Sequence, residues 1–385
     1  MRDLIERAWA RAPMARRIEG RQREAQLATE QAGSWFPGTP ALNLNYRDDR
    51  AGRDAGFKEQ EIGLSTPIWS PGQRGMARDL AEADANDTQA AAEALRLSVA
   101  GEVRERAWGA VLASRNQTIA QARAESLKRL EADVIRRVQA GDMARSDALL
   151  IRQEVLAADS DSKQAQLAQI EAIHKFHALT GVMQVPELSE QDSQSKAGQI
   201  LSTDWEAVIA AHPRMVAARA ARALAEQRLH AAAASSREAP EVGVNVRWQR
   251  ADALQPTDRA MGFSVRVPLG SGPRGRTATA AAQTELASAE SQERQVREAL
   301  EHELLEARDT LVVQQGMAEN SLERARAAEE RLALVQKAFQ LGELGLTERL
   351  RAEASAREAQ ALSMKDQTAL GLAQTRLQQA KGLLP

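Results

Sequence analysis

The chain has no cysteine. That excludes disulfides, thiolate metal sites and a lipidated N-terminal Cys. Aromatics are scarce, at 3% of 385 residues, too few for an ordinary compact core of this length. The net charge of −2 offers no basic surface for nucleic acid. No run of about 18 apolar residues exists, which removes a transmembrane helix but not a transmembrane β-barrel, whose strands are short and alternating. Met1-Arg2-Asp3-Leu4 lacks the apolar stretch of a signal peptide. An exported protein needs one, so it was removed, or the start is internal, or export is the wrong reading. What the chain has in excess is Ala, Arg, Gln, Glu and Leu, the composition of long helices packed through small residues.

The sequence is written twice. Gln139-Ala140-Gly141-Asp142 returns as Gln340-Leu341-Gly342-Glu343. Gly141 and Gly342 stand 201 residues apart, as do Pro67 and Pro268, Asp147 and Glu348, and Gly181 and Gly382. Upstream, Ala12-Pro13-Met14 matches His212-Pro213-Arg214 at a spacing of 200. We divide the chain into repeat one, 1–183, a polar linker, 184–203, and repeat two, 204–385. Pro186 and Gly198 mark the linker as loop.

Each repeat reads as a helix, two short strands, a very long helix, a Gly turn and a second helix. The first helices are expected over Leu4–Ala32 and Trp205–Ser235. The long ones are expected from about Ala77 to Gln139 and from about Ala278 to Gln340, and their partners over Ser146–Leu179 and Thr347–Lys381. Leu127, Leu130, Val134 and Val138, and later Leu332, Val335 and Phe339, recur three and four apart. At ~1.5 Å per residue the first long helix would reach roughly 95 Å, so it must pack along its length as coiled coils do. Antiparallel hairpins turning at Gly141 and Gly342 satisfy this.

Four segments alternate with period two: Pro40–Tyr46, about Glu59–Pro67, Glu241–Trp248 and Phe263–Leu269. Their apolar rows are Leu42 and Leu44; Val242, Val244 and Val246; and Phe263, Val265 and Val267, with a weaker row at Ile62 and Leu64. Four strands cannot close a barrel and would leave edges unpaired in lipid, whereas three copies supply twelve. Seven of the twelve aromatics lie in or beside these segments, as interfacial girdles would. The charged loops Arg47–Gly56 and Arg250–Ala260 suit a cell exterior. In a bilayer the apolar rows face lipid. A soluble sheet capping a helical bundle is the other reading of the same pattern.

This plan resembles the outer-membrane factors of tripartite efflux pumps. Ser65-Thr66-Pro67-Ile68-Trp69-Ser70-Pro71-Gly72 and Val265-Arg266-Val267-Pro268-Leu269-Gly270 look like that family's strand-to-helix junctions. Ala338 to Leu350 looks like its periplasmic hairpin tip. The resemblance spans nearly the whole chain and extends to the heavy-metal branch. It implies a mainly α fold with a small β part, assembled as a homotrimer with a 12-stranded barrel and a periplasmic α-barrel. It implies a passive tunnel without cofactor or catalysis, exporting small solutes, divalent metal cations among them. Its partners would be a periplasmic adaptor, a proton-driven inner-membrane transporter of the resistance-nodulation-division type and outer-membrane lipid. Gly141, Asp142, Gly342 and Glu343 would dock on the adaptor. Asp147 and Glu348 match positions that line the periplasmic constriction in some relatives, where a carboxylate ring favours cations. Leu150 and Arg351 stand where some relatives place another acid.

The same two carboxylates have a local explanation. Ser146 and Thr347 are N-cap residue types, and an acid just after a cap steadies a helix dipole. His174 and His177 are spaced i,i+3, but Lys175 intervenes and no third ligand is near in sequence, so no metal site is expected. Gly270 to Gly275 follows a strand without the Lys-Ser/Thr ending of a phosphate loop. The rival from another class is a soluble periplasmic coiled-coil scaffold or adaptor.

Overall fold

A computed structural model describes residues 1–52, 55–186, 188, 204–234, 239–268 and 273–384. Most of the expected linker, and Leu269 to Gly272, lie outside the described residues. The element order is α1 (Arg2–Arg11), α2 (Pro13–Gly33), β1 (Ala41–Asp48), β2 (Lys58–Pro67), α3 (Gln73–Ala140) and α4 (Arg145–Thr180). Then follow α5 (Trp205–Ala211), α6 (Pro213–Ala234), β3 (Glu241–Arg250), β4 (Asp258–Arg266), α7 (Pro273–Gln340) and α8 (Leu346–Ala380). Two compact units result, each drawing on both repeats. One comprises 1–15, 94–213 and 297–385; the other comprises 16–93 and 214–296.

The expected first helix of each repeat is in fact two. Ala12 and His212 take extended angles, ψ 127 and 132, before Pro13 and Pro213. A proline disfavours α geometry in the residue before it and cannot donate its own backbone bond. Both long helices start earlier than expected, at Gln73 and Pro273, and each runs 68 residues.

In the first unit, α3 neighbours both α4 and α8, and α8 neighbours α7. The order α4, α3, α8, α7 follows from the contacts. Leu127, Leu130 and Val134 of α3 pack with Ile151, Val155 and Ala158 of α4. Leu311 of α7 packs with Ala373 and Leu377 of α8, as Leu332 does with Ala352 and Ala356. These seams within the hairpins have apolar centres, flanked on α3 and α4 by the ion pairs Arg123–Asp161, Lys128–Asp159 and Arg152–Glu131.

The seam between hairpins is polar. Arg104 of α3, 3% exposed, donates to Gln379 Oε1 at 2.6 Å and to the Leu383 carbonyl at 3.0 Å. Gln379 Nε2 donates in turn to the Leu97 carbonyl at 2.7 Å. Burial lowers the Arg104 pKa from its ordinary value. Further along, Arg115 donates to Thr368 Oγ1 and Ser126 Oγ to Glu353 Oε1. Arg376 pairs with Glu105 at 2.8 Å. Most of these groups are tolerated at a helix seam because they have partners, although Glu353 Oε2 is buried without one.

In the second unit the strands form one antiparallel sheet in the order β1-β2-β3-β4. β2, the weaker expectation, is a full central strand of 10 residues. β4 begins at Asp258 and ends at Arg266, earlier than expected, so Val267 lies just past it. Asp258 to Ala260 are therefore strand rather than loop, as are Arg47 and Asp48 of β1. A sheet in isolation ends where pairing ends, and β4 stops at the last residue that β3 can reach.

Candidate functional site

The registers place every large apolar strand residue on one face. Leu42 pairs with Leu64, Leu64 with Val244, and Val244 with Phe263. The next row on that face is Leu44, Ile62, Val246 and Met261; Thr66, Val242 and Val265 line up on its other side. A final row, Tyr46, Gln60, Trp248 and Arg259, ends the apolar band at the loop end. The face is bare: Leu42 is 64% exposed, Phe263 70% and Met261 85%. Because strand side chains alternate, the remaining residues make a polar face. Its rows read Asn43, Gly63, Asn245, Gly262 and Asn45, Glu61, Arg247, Ala260. Asn43 donates to Ser65 Oγ at 3.0 Å, and Asn245 donates to Glu61. A Cβ at position 262 would lie 2.3 Å from Asn245 Oδ1, so a larger residue there would have to displace that side chain. Among the described residues the outer edges of β1 and β4 have no strand partner.

At the other candidate site the two Gly turns are alike. Gly141 and Gly342 have φ of 85° and 78°. Gly141 N–H donates to the Val138 carbonyl and Asp142 N–H to that of Arg137; Gly342 and Glu343 repeat this with Phe339 and Ala338. These are Schellman closures, which need the left-handed residue that glycine supplies without strain. Gly141, Asp142, Gly342 and Glu343 are all exposed. The two turns belong to one packed cluster, for Phe339 and Leu346 join the α3–α4 core. Arg137 and Arg349 each lie 4.9 Å from the Phe339 ring centroid. Burial lowers the Arg349 pKa, while Glu353 and then Asp133 push it back up. The sequence singled out neither arginine. The visible signal was Phe339, an aromatic three residues before Gly342, but spacing along one helix does not reveal neighbours on another.

Asp147 and Glu348 occupy the first turns of α4 and α8. Ser146 and Thr347 are not the caps expected of them. The caps are Ala144 and Gly345, extended at ψ 151 and 164, and neither makes a side-chain cap bond. Each helix starts early enough to draw Ser146 and Thr347 inside. The acids keep their favourable place beside the positive helix end. Glu348 is exposed and pairs with Arg351 at 2.9 Å. Asp147 is half-buried, and its N–H donates to the Ala144 carbonyl. Among the described residues no three His, Cys, Asp or Glu side chains are grouped to hold a metal. No described helix is long and apolar enough to cross a membrane.

No family model matches the sequence, and no curated protein is similar to it. Solved structures are similar over the whole chain. The outer membrane protein VceC of Vibrio cholerae aligns with 98% of this chain and 95% of its own at TM-score 0.74 and 16% identity. The CmeC outer membrane channel of Campylobacter jejuni aligns with 98% of this chain and 84% of its own, at 0.75 and 13%. The open state of the MtrE outer membrane channel of Neisseria gonorrhoeae gives 98% and 88%, at 0.71 and 16%. Nothing in these likenesses singles out a heavy-metal branch. Repeated hairpins, a four-stranded sheet and end-to-end alignment agree on one conclusion: this chain has the fold of outer-membrane channels.

Proposed function

We propose that the chain is one protomer of a homotrimeric outer-membrane channel, a passive tunnel through which a tripartite efflux pump exports small solutes. The observation that carries this is the sheet. It has an apolar face bare to its surroundings and two edges without partners. Water would penalise the face and lipid would penalise the edges. Only closure with further strands in a bilayer relieves both. Three copies make twelve strands, with Leu42, Leu44, Val242, Val244, Val246, Phe263 and Val265 toward lipid. Val267 joins that face once a neighbouring copy extends β4. The polar face then lines the tunnel.

The exposed turns at Gly141, Asp142, Gly342 and Glu343 are the surface for a periplasmic adaptor, which joins the channel to a proton-driven inner-membrane transporter. Asp147 and Glu348, three of each in a trimer, set a negative potential at the tunnel's inner mouth and favour cations. The channel performs no catalysis and needs no cofactor. Fractionation followed by detergent extraction tests the proposal. A heat-modifiable trimer in the outer-membrane fraction is the expected result. A monomer that stays in aqueous buffer without detergent would instead favour the soluble scaffold.

A further inference from the structure

In the sheet-bearing unit, α2, α3 and α6 border a cavity of about 370 Å³. Its lining is mostly apolar: alanines of α2 and α3, among them Ala32, Ala77 and Ala81, and the indole of Trp69, two residues past the end of β2. Two polar side chains interrupt it, Gln31 and Asp84. Ligand pockets typically enclose about 300–1,000 Å³ and set a few placed polar groups in an apolar wall. This cavity meets both conditions.

The walls are held in place by bonds behind them. Trp69 Nε1 donates to the Ser34 carbonyl at 3.2 Å, and Arg74 donates to the Gly33 carbonyl at 2.6 Å. These bonds tie the end of α2 to the start of α3 and fix the indole, so a ligand need not order the site on arrival. Asp84 is the group left under-used. Its side chain is only 25% exposed, and Arg228 stands 3.9 Å away, beyond hydrogen-bond reach. Arg228 donates to Glu285 instead. Among the described residues no side chain donates a hydrogen bond to Asp84. Asp84 also adds to the rise in the Asp87 pKa that burial begins. A cation beside Asp84 would therefore relieve both carboxylates.

We propose that this cavity binds a small primary amine with a compact apolar body, an arylalkylammonium by chemical class. The ammonium donates to Asp84, and the body lies against Trp69 and the alanines. The lining decides the class. A divalent metal takes about six oxygen ligands, and the cavity offers one carboxylate and one amide. An anion would meet the charge of Asp84. A neutral hydrocarbon would cover that carboxylate without pairing it, which is costly. Trp is also the side chain whose ring attracts cations best. In repeat two the position 201 residues on from Trp69 is Gly270, so the aromatic wall is provided once per chain. The site goes beyond the channel reading and does not depend on it.

Isothermal titration of the purified full chain in detergent at neutral pH tests this. The probes are phenethylamine, phenethyl alcohol and phenylacetate, which share a body and differ in charge. The amine is expected to bind one per chain, about tenfold or more tighter than the alcohol, and phenylacetate is expected not to bind. Asp84→Asn should bring the amine down to the affinity of the alcohol. Ala77→Leu, which adds bulk to the cavity wall and leaves Asp84 in place, should weaken amine and alcohol alike. Trp69→Phe keeps an aromatic wall, so it should retain amine binding while abolishing the change in tryptophan fluorescence that the amine produces. Absence of saturable amine binding in the parent chain, whether a neighbouring copy or nothing occupies the cavity, overturns the proposal. So does equal affinity for amine and alcohol, or amine binding that survives both Asp84→Asn and Ala77→Leu.

Discussion

Gly371 of α8 lies against the buried indole of Trp108 on α3, so closely that a Cβ on Gly371 would stand 2.2 Å from Trp108 Cη2. Gly371→Ala should therefore lower the thermal midpoint, at a cost of ~1–3 kcal/mol for overpacking. Helix propensity alone argues the opposite, since alanine gains about 1 kcal/mol over glycine. Trp108 Nε1 has no hydrogen-bond partner, so Trp108→Phe sacrifices no bond. Adding it should rescue Gly371→Ala. Circular dichroism melts of both single variants and the double variant decide it; purely additive shifts would refute the contact.

Asp87 of α3 is buried, and its pKa is raised above the usual 3.8 chiefly by desolvation. Arg21 and Arg228 oppose the rise, and Asp84 adds to it. A raised carboxyl pKa means that the folded state binds the proton more tightly. Its contribution is thus fully present below pH 3.8 and is lost as pH climbs through the raised value. Asp87→Asn should leave stability unchanged near pH 3 and gain on the parent as pH rises to about 7. Thermal midpoints of both proteins across that range check the sign. A constant gap would mean that Asp87 titrates as an ordinary carboxylate.

Val244 is 55% exposed in the middle row of the apolar face. Val244→Asp should impair assembly in the outer membrane, since a charge on a lipid-facing strand costs on the order of 2 kcal/mol near mid-depth. Asn43→Asp, on the polar face, exchanges the amide's donation to Ser65 Oγ for acceptance from the Ser65 hydroxyl and should assemble. The yield of heat-modifiable trimer separates the two. Equal yields would mean that the faces are assigned the wrong way round or meet the same medium.

Asp147→Asn together with Glu348→Gln should reduce cation preference in planar bilayers, moving the reversal potential in a salt gradient toward zero. Loss of two first-turn acids costs about 0.3–1 kcal/mol each if they serve only the helix dipole. A lower melting midpoint with unchanged selectivity would leave them that smaller role alone.

Much of this was legible in the sequence because the repeat is punctuated by residues with hard conformational rules. Gly141, Gly342, Gly181 and Gly382 all adopt positive φ, and the two strands of each repeat fall between the expected helices. The misses have equally local causes. Ser146 and Thr347 are good caps by type, yet the helices begin one residue before each of them. Pro13 and Pro213 served as landmarks of the repeat, yet the expected helices ran straight through both. The polar seam was illegible for a different reason. Arg104 and Glu353 look like solvent-facing residues in a helical pattern, and only the neighbour across the seam explains their burial.

The internal seam finds its hydrogen bonds within one polypeptide, between Arg104 and Gln379, Arg115 and Thr368, and Ser126 and Glu353. A newly made copy can complete that network while still solitary. The strips it leaves bare for neighbours and lipid, exposed side chains such as Leu149 and Leu156 on α4, Leu305 and Leu334 on α7 and one face of the sheet, are oily. Its journey to the place of assembly is therefore a problem of shielding grease rather than of satisfying charge, and an escort for such a chain would need only to cover those strips and let go.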